Sequence, residues 1–186
     1  MQTEKLLMSF DCMHTNSSLK NAISSATTIS KKLGWKPLGL SALGPTEVSW
    51  PDDFTEKWKT EFGKIGETTL VKFLKRNKAT VNFETEIVLQ PYLSSKENVR
   101  IIAKEAKKRK AAAIAVFTHA GKAGKGLPGS FVTSMIYEST LPILALNALA
   151  PRTTSIKNIL LTTDFSPESA RTFRKTITLA KKLGAK

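Results

Sequence analysis

Two stretches of this chain nearly duplicate one another about 150 residues apart, and that spacing restricts the fold more than any other feature. Leu7-Met8-Ser9-Phe10-Asp11 is matched by Leu160-Leu161-Thr162-Thr163-Asp164, and Lys31-Lys32-Leu33-Gly34 by Lys181-Lys182-Leu183-Gly184. The offset falls from 153 to 150 between the two blocks, so the first copy has three extra residues between its strand and its helix. Self-similarity at a fixed period marks one structural unit. The 186 residues hold one such unit, and the second copy is present only as its first strand and helix. The expected boundaries are 1–150 for the unit and 151–186 for the incomplete repeat.

Within the unit, hydrophobic periodicity switches regularly between strand and helix. Lys5–Phe10 reads as a strand. Ala22, Ile23, Ala26, Ile29 and Leu33 then recur at helical spacing, with Gly34 as the stop. Pro37–Leu43 reads as a second strand. Residues 52–77 form a helical pattern with Phe54, Trp58, Phe62, Ile65, Phe73 and Leu74 on or near one face, and Gly63 and Gly66 leave room for a bend or break in it. Val81–Leu89 alternates as a strand should. Ser94 and Glu97 have capping-box spacing ahead of a helix to about Lys110.

Ala111–Thr118 is wholly apolar up to its final residue, as expected of a strand buried on both faces of a parallel sheet. The glycine- and lysine-rich stretch His119–Pro128 predicts a loop, Gly129–Ser139 a short helix and Leu141–Leu146 a fifth strand. Five strands alternating with four helices predict an α/β doubly wound parallel sheet. Ala148–Ser155 reads as a linker. Beyond it Ile156–Thr163 is an expected strand. Ser166-Pro167-Glu168 opens a helix whose apolar face is Ala170, Phe173, Ile177, Ala180 and Leu183.

Composition removes several classes. The longest apolar run, Ala111 to Phe117, is far short of the roughly 20 residues of a membrane-spanning helix. The N-terminus has no secretory pattern, which makes a cytoplasmic location the simplest expectation. A single cysteine, Cys12, excludes an internal disulfide. Charge is unusual: 29 Lys and Arg against 15 Asp and Glu give +14. Such an excess favours polyanionic partners. The basic residues recur at helical spacing without interleaved aromatics, so the sequence specifies no nucleic-acid surface; solvated lysines on helix faces explain the pattern equally.

The segment Asn158–Ala170, with the Leu-Ala-Lys-Lys-Leu-Gly-Ala run that closes its helix, resembles the opening of a universal stress protein domain. Gly129-Ser130 leading into Ser139-Thr-Leu-Pro-Ile-Leu-Ala-Leu is similar to the end of one. The resemblance implies a Rossmann-like sheet in the order 3-2-1-4-5, with strands 1 and 4 adjacent at the switch point where such sheets bind ligands. It also implies ATP or ADP as ligand, bound in stress adaptation without turnover. The residues that would hold the nucleotide are Ser9, Asp11 and Leu43 at the base and ribose end, and Thr118, Gly121, Gly129, Ser130 and Phe131 around the phosphates.

The match is incomplete. ATP-binding members carry Gly-x2-Gly-x9-Gly-Ser/Thr; here Thr118 replaces the first glycine, and seven residues separate Gly121 from Gly129. Gly124, Gly126, Lys122 and Lys125 offer partial compensation, and a connection that no longer binds nucleotide is the competing reading. Asp11 has two readings as well, accepting from a sugar or capping the segment after it.

Other residues carry less. Cys12, His14 and His119 could be drawn as a metal site only by assuming that they converge. No Gly-x-Ser-x-Gly elbow or His-x-Gly-His motif points to hydrolysis or adenylyl transfer. Trp35, Trp50 and Trp58 are expected in packing. The resemblance further implies a homodimer through the uncharged fifth strand. A nucleotide-independent interaction module with an unidentified protein partner is the alternative function.

Overall fold

A computed structural model describes residues 4–11, 19–44, 56–77, 83–90, 94–118 and 130–186. Its elements are β1 (Lys5–Ser9), α1 (Lys20–Leu33), β2 (Lys36–Leu43), α2 (Glu56–Arg76), β3 (Glu84–Leu89), α3 (Ser95–Lys108), β4 (Ala111–Thr118), α4 (Ser130–Glu138), β5 (Ile143–Asn147) and α5 (Pro167–Leu183). The strands form one parallel sheet in the order β3-β2-β1-β4-β5. This is the expected α/β doubly wound architecture. β1 and β4 sit at its centre because their residues are apolar on both faces. Leu6, Met8, Ala113 and Ala115 join one core with α1 and α2, while Leu7, Ile114 and Val116 join a second with α3 and α4.

Helix ends follow local chemistry. Gly34 closes α1 at φ 72° and Gly184 closes α5 at φ 68°, the left-handed conformation that glycine adopts without a Cβ penalty. Ser94 caps α3 by accepting from the Glu97 N–H at 3.2 Å, and the Glu97 carboxylate accepts from the Ser94 N–H in return. The Ser94 side chain holds the Glu97 carboxyl below its ordinary value.

α1 has no side-chain cap of its own and no acid in its first turn. The Leu19 N–H at its head instead donates to Asn77 Oδ1 at 2.7 Å, and Asn77 Nδ2 donates to the Phe73 carbonyl at 2.9 Å. A buried amide at the end of α2 thus caps the neighbouring helix.

Four expectations need correction. α2 runs through Gly63 and Gly66 without a break; a Cβ on Gly66 would come within 2.6 Å of Leu43 Cδ1, so glycine there lets helix and sheet approach. Ile65 is 54% exposed and lies off the buried face made by Leu70, Phe73 and Leu74. The linker is anchored, since Ala148 is buried and the Thr153 N–H donates to Ser25 Oγ of α1 at 2.8 Å.

Finally, Ile156–Thr163 joins no sheet. Its local pattern nevertheless repeats that of β1. Lys186 N–H donates to the Lys157 carbonyl and Ile159 N–H to the Lys186 carbonyl, both at 2.8 Å. A strand needs a ladder of such pairs, and here only one residue supplies them.

The apolar face of α5 is partly covered by the first unit. Leu183 packs with Ile29 and Leu33 of α1, joined by Leu179, Ile156 and Ile159. Phe173 and Ile177 nearer the start of α5 stay 52% and 41% exposed. Among the described residues, no helix is long and apolar enough to cross a membrane.

Candidate functional site

All five strands point the same way, so their carboxyl ends share one edge, and the order β2-β1-β4 makes the β1/β4 boundary the switch point. The sheet register pairs Met8 with Ala115. Asp11 follows two residues after the end of β1, and Thr118 is the last residue of β4. Beneath that edge, Phe10 stacks on Phe117 with ring centroids 5.1 Å apart and leans on Phe73 at 5.6 Å. These rings fix the ends of the two central strands from the α1/α2 side.

Strand alternation decides which candidate side chains meet. Phe10 and Phe117 face α1 and α2, so Ser9 and Thr118 fall on the α3/α4 face. Phe131, in the first turn of α4, packs half-buried into that same α3/α4 core. The α4 N-terminus, opened by Ser130, is thereby tied to this face, with its first N–H groups free of intrahelical partners as at any helix start. Ser9, Thr118, Phe131 and the head of α4 thus belong to one face.

Leu43 does not join them. It is buried at the end of β2 with its side chain in the α1/α2 core against Gly66, and its carbonyl accepts from the Gln90 N–H. Thr118 is engaged as well: its hydroxyl donates to the Leu146 carbonyl at 3.4 Å, and its own carbonyl accepts from Ala148 N–H. Asp11 is exposed directly beyond β1 and has a polar partner. Gly121, Gly129, Gly124, Gly126, Lys122 and Lys125 lie outside the described residues, as do Cys12, His14, His119 and Trp50 and the side chains of Ser130 and Trp58. Among the described residues no His, Cys, Asp and Glu cluster could hold a metal ion. Trp35 packs against both α1-side clusters and donates to Glu4 at 2.8 Å, a packing role.

The second copy reveals what an aspartate in this position can do. Asp164, the counterpart of Asp11, accepts from the Ser166 N–H at 3.0 Å and from the Ser169 hydroxyl. Those hydrogen bonds, the Ser169 one foremost, pull its carboxyl well below the usual carboxylate range. Asp164 therefore helps cap α5. The pairing of Asn77 with Leu19, which fixes where α1 begins, was not visible in the sequence; an asparagine after Lys75-Arg76 signals a helix end but not its partner.

Neither a protein-family model nor the sequence of a curated protein matches the chain. Solved structures do. A universal stress protein from Archaeoglobus fulgidus gives a TM-score of 0.68 at 19% identity, covering 100% of this chain and 66% of that one. The chain has the universal stress protein fold. A second universal stress protein structure from Archaeoglobus fulgidus gives 0.52 at 15% identity, over 78% of this chain and 99% of that one. One from Lactobacillus plantarum gives 0.50 at 11% identity over 78% and 99%. In this strand order the β1/β4 edge is the topological switch point.

Proposed function

We propose that this chain is a regulatory nucleotide-binding protein of the universal stress type, taking ATP or ADP at the β1/β4 edge and acting by binding rather than turnover. The observation that carries the reading is the adjacency of β1 and β4, which puts Asp11, just past the end of β1, and Thr118, at the end of β4, at one edge, with the head of α4 packed to the face Thr118 shares. A helix N-terminus there favours phosphate, and an exposed carboxylate beside it can accept from ribose hydroxyls. Thr118 in place of a glycine and the shortened loop make the affinity modest. The sequence offers no evident general base to activate water, so slow hydrolysis is expected.

Calorimetry with ATP and ADP at low salt tests the reading, together with mass spectrometry of small molecules released from the purified protein. Gly129→Val should abolish binding by blocking backbone approach, and Cys12→Ala should leave it intact. Absence of heat at millimolar nucleotide would sink the reading.

One observation favours a nucleotide-independent interaction module instead. Asp164 is consumed in capping α5, and Asp11 at the matching position could be consumed in the same way. The calorimetry separates the two.

The reading includes a homodimer through β5, whose outer edge meets no further strand of the described sheet. Leu144 packs into two core clusters, so a charge there would disturb folding. The exposed Ala145 is the better site: Ala145→Lys should give monomers by light scattering, and a monomeric wild type would refute the dimer.

A further inference from the structure

In a parallel α/β sheet every helix runs back against the strands, so helix C-termini collect at the strand-amino edge, opposite the switch-point crevice. Here that edge is basic. The last turn of α1 carries Lys31 and Lys32, and the last turn of α5 carries Lys181 and Lys182. Leu33 and Leu183, the last residues of the two helices, share one apolar cluster, which brings the helix ends that carry these duplicated pairs together. Lys36 follows α1, and Lys157 is bonded through its carbonyl to the end of the α5 segment, so both enter the same field. All six lysines are exposed.

Compensating the helix dipoles needs only about half a charge at each C-terminus, well short of what is present. Glu4, whose carbonyl bonds the Lys36 N–H at this edge, accepts with its side chain from the Trp35 ring N–H. The Arg109 guanidinium, by contrast, is taken up by Glu86 and Glu105 and belongs to the packing.

We infer that this edge binds the phosphodiester backbone of duplex nucleic acid without reading its sequence. The inference is independent of the nucleotide reading, which concerns the opposite edge. Lysine supplies a mobile point charge with no planar fork, which suits phosphates and not base edges. A duplex presents one negative charge per about 1.7 Å of its axis, a density that an array of lysines from two helices can neutralise at several points at once. An anionic bilayer is less well matched. None of the large exposed apolar side chains lies in the last turn of α1 or α5, so nothing there is ready to insert. The juxtaposition exists only in the folded chain, because the two lysine pairs are 150 residues apart in sequence.

The test uses the full chain and fluorescent mixed-sequence duplex DNA, with affinity measured by anisotropy across a salt series. Wild type should bind, with AT-rich and GC-rich duplexes equivalent. The quadruple variant Lys31→Gln, Lys32→Gln, Lys181→Gln, Lys182→Gln should reduce the slope of log K against log salt by about 3–4, near 0.9 for each phosphate no longer neutralised. Its affinity at about 0.1 M salt should fall at least thirtyfold, by the same relation. A matched variant at exposed lysines elsewhere, Lys64→Gln, Lys72→Gln, Lys96→Gln, Lys104→Gln, removes equal charge and should change the slope by less than about 1. Three outcomes would overturn the inference: no DNA binding at low salt, equal losses in the two variants, or preferential capture by phosphatidylserine vesicles in place of DNA.

Discussion

Lys186 donates its backbone N–H to the Lys157 carbonyl at 2.8 Å, the bond that Lys36 makes to Glu4 at 2.8 Å one repeat earlier. The likeness extends to the helix ends. Gly34 N–H donates to Lys31 and Trp35 N–H to Ser30, just as Gly184 donates to Lys181 and Ala185 to Ala180. Two stretches of similar sequence thus make the same strand–helix–return geometry, and the second is fastened to the first through Leu33 and Leu183.

That fastening predicts that Leu183→Ala loosens α5. Leu183 is 5% exposed, and truncating a buried leucine costs about 2–5 kcal/mol, the lower end applying at a peripheral contact. Hydrogen exchange should show α5 amides opening faster while β4 amides are unchanged. Shortening the chain after Ala150 should lower the melting temperature, because Ile29 and Leu33 lose their cover. Unaltered α5 protection, or an unaltered melting temperature, would refute the contact as the anchor.

Asn77→Ala should destabilise the protein by about 1–3 kcal/mol, the usual cost of leaving a buried donor unpaired. The donor is the Leu19 N–H at the start of α1. Denaturant unfolding measures the loss. Asn77→Asp keeps an acceptor for that N–H and should recover part of it; equal losses in the two variants would show that the Leu19 bond is not what matters.

What the sequence revealed and what it concealed divide along physical lines. Local chemistry was legible. The Ser94/Glu97 box, the glycine stops at Gly34 and Gly184 and the apolar β4 all act within a few residues of themselves, so they carry their own signal. Contacts across the fold were not. Gly63 and Gly66 look alike in sequence, and the Leu43 and Ile87 side chains beneath Gly66 distinguish them. Ile65 fits the helical pattern but falls outside the arc that meets β2 and β3. Ile156–Thr163 has the composition of a strand, yet strand formation depends on partners that composition does not encode. At the candidate site, alternation set Ser9 and Thr118 on one face and Leu43 on the other, which a one-dimensional motif could not show.

The two α2 glycines give predictions of opposite sign. At Gly63 a Cβ would meet only Leu89 Cδ1, at 3.7 Å, an ordinary contact. Gly63→Ala should therefore stabilise by about 0.5–1 kcal/mol through helix propensity. At Gly66 the new methyl would lie 2.6 Å from Leu43 Cδ1 and 3.2 Å from Ile87 Cγ2. Overpacking costs about 1–3 kcal/mol, which outweighs the propensity gain and leaves Gly66→Ala net destabilising by about 1 kcal/mol. Chemical denaturation of both variants checks the sign. A stabilised Gly66→Ala would mean that β2 yields readily beneath α2.

Asp164 sets a pH dependence. Its carboxylate accepts from Ser169 and Ser166 in the folded chain, which lowers its pKa below the unfolded value near 3.9. On acidification the unfolded chain therefore takes up this proton first. The stabilisation is complete above about pH 4 and is lost as pH falls through the lower folded value. Asp164→Asn keeps an oxygen for the Ser166 N–H and removes the charge, so its own stability carries no such term. The wild type should melt higher than the variant from neutral pH down to about pH 4, and the gap should close below that. Thermal melts of both proteins across this range decide the matter. A gap that stays constant under acid would show that the Asp164 charge contributes nothing to capping α5.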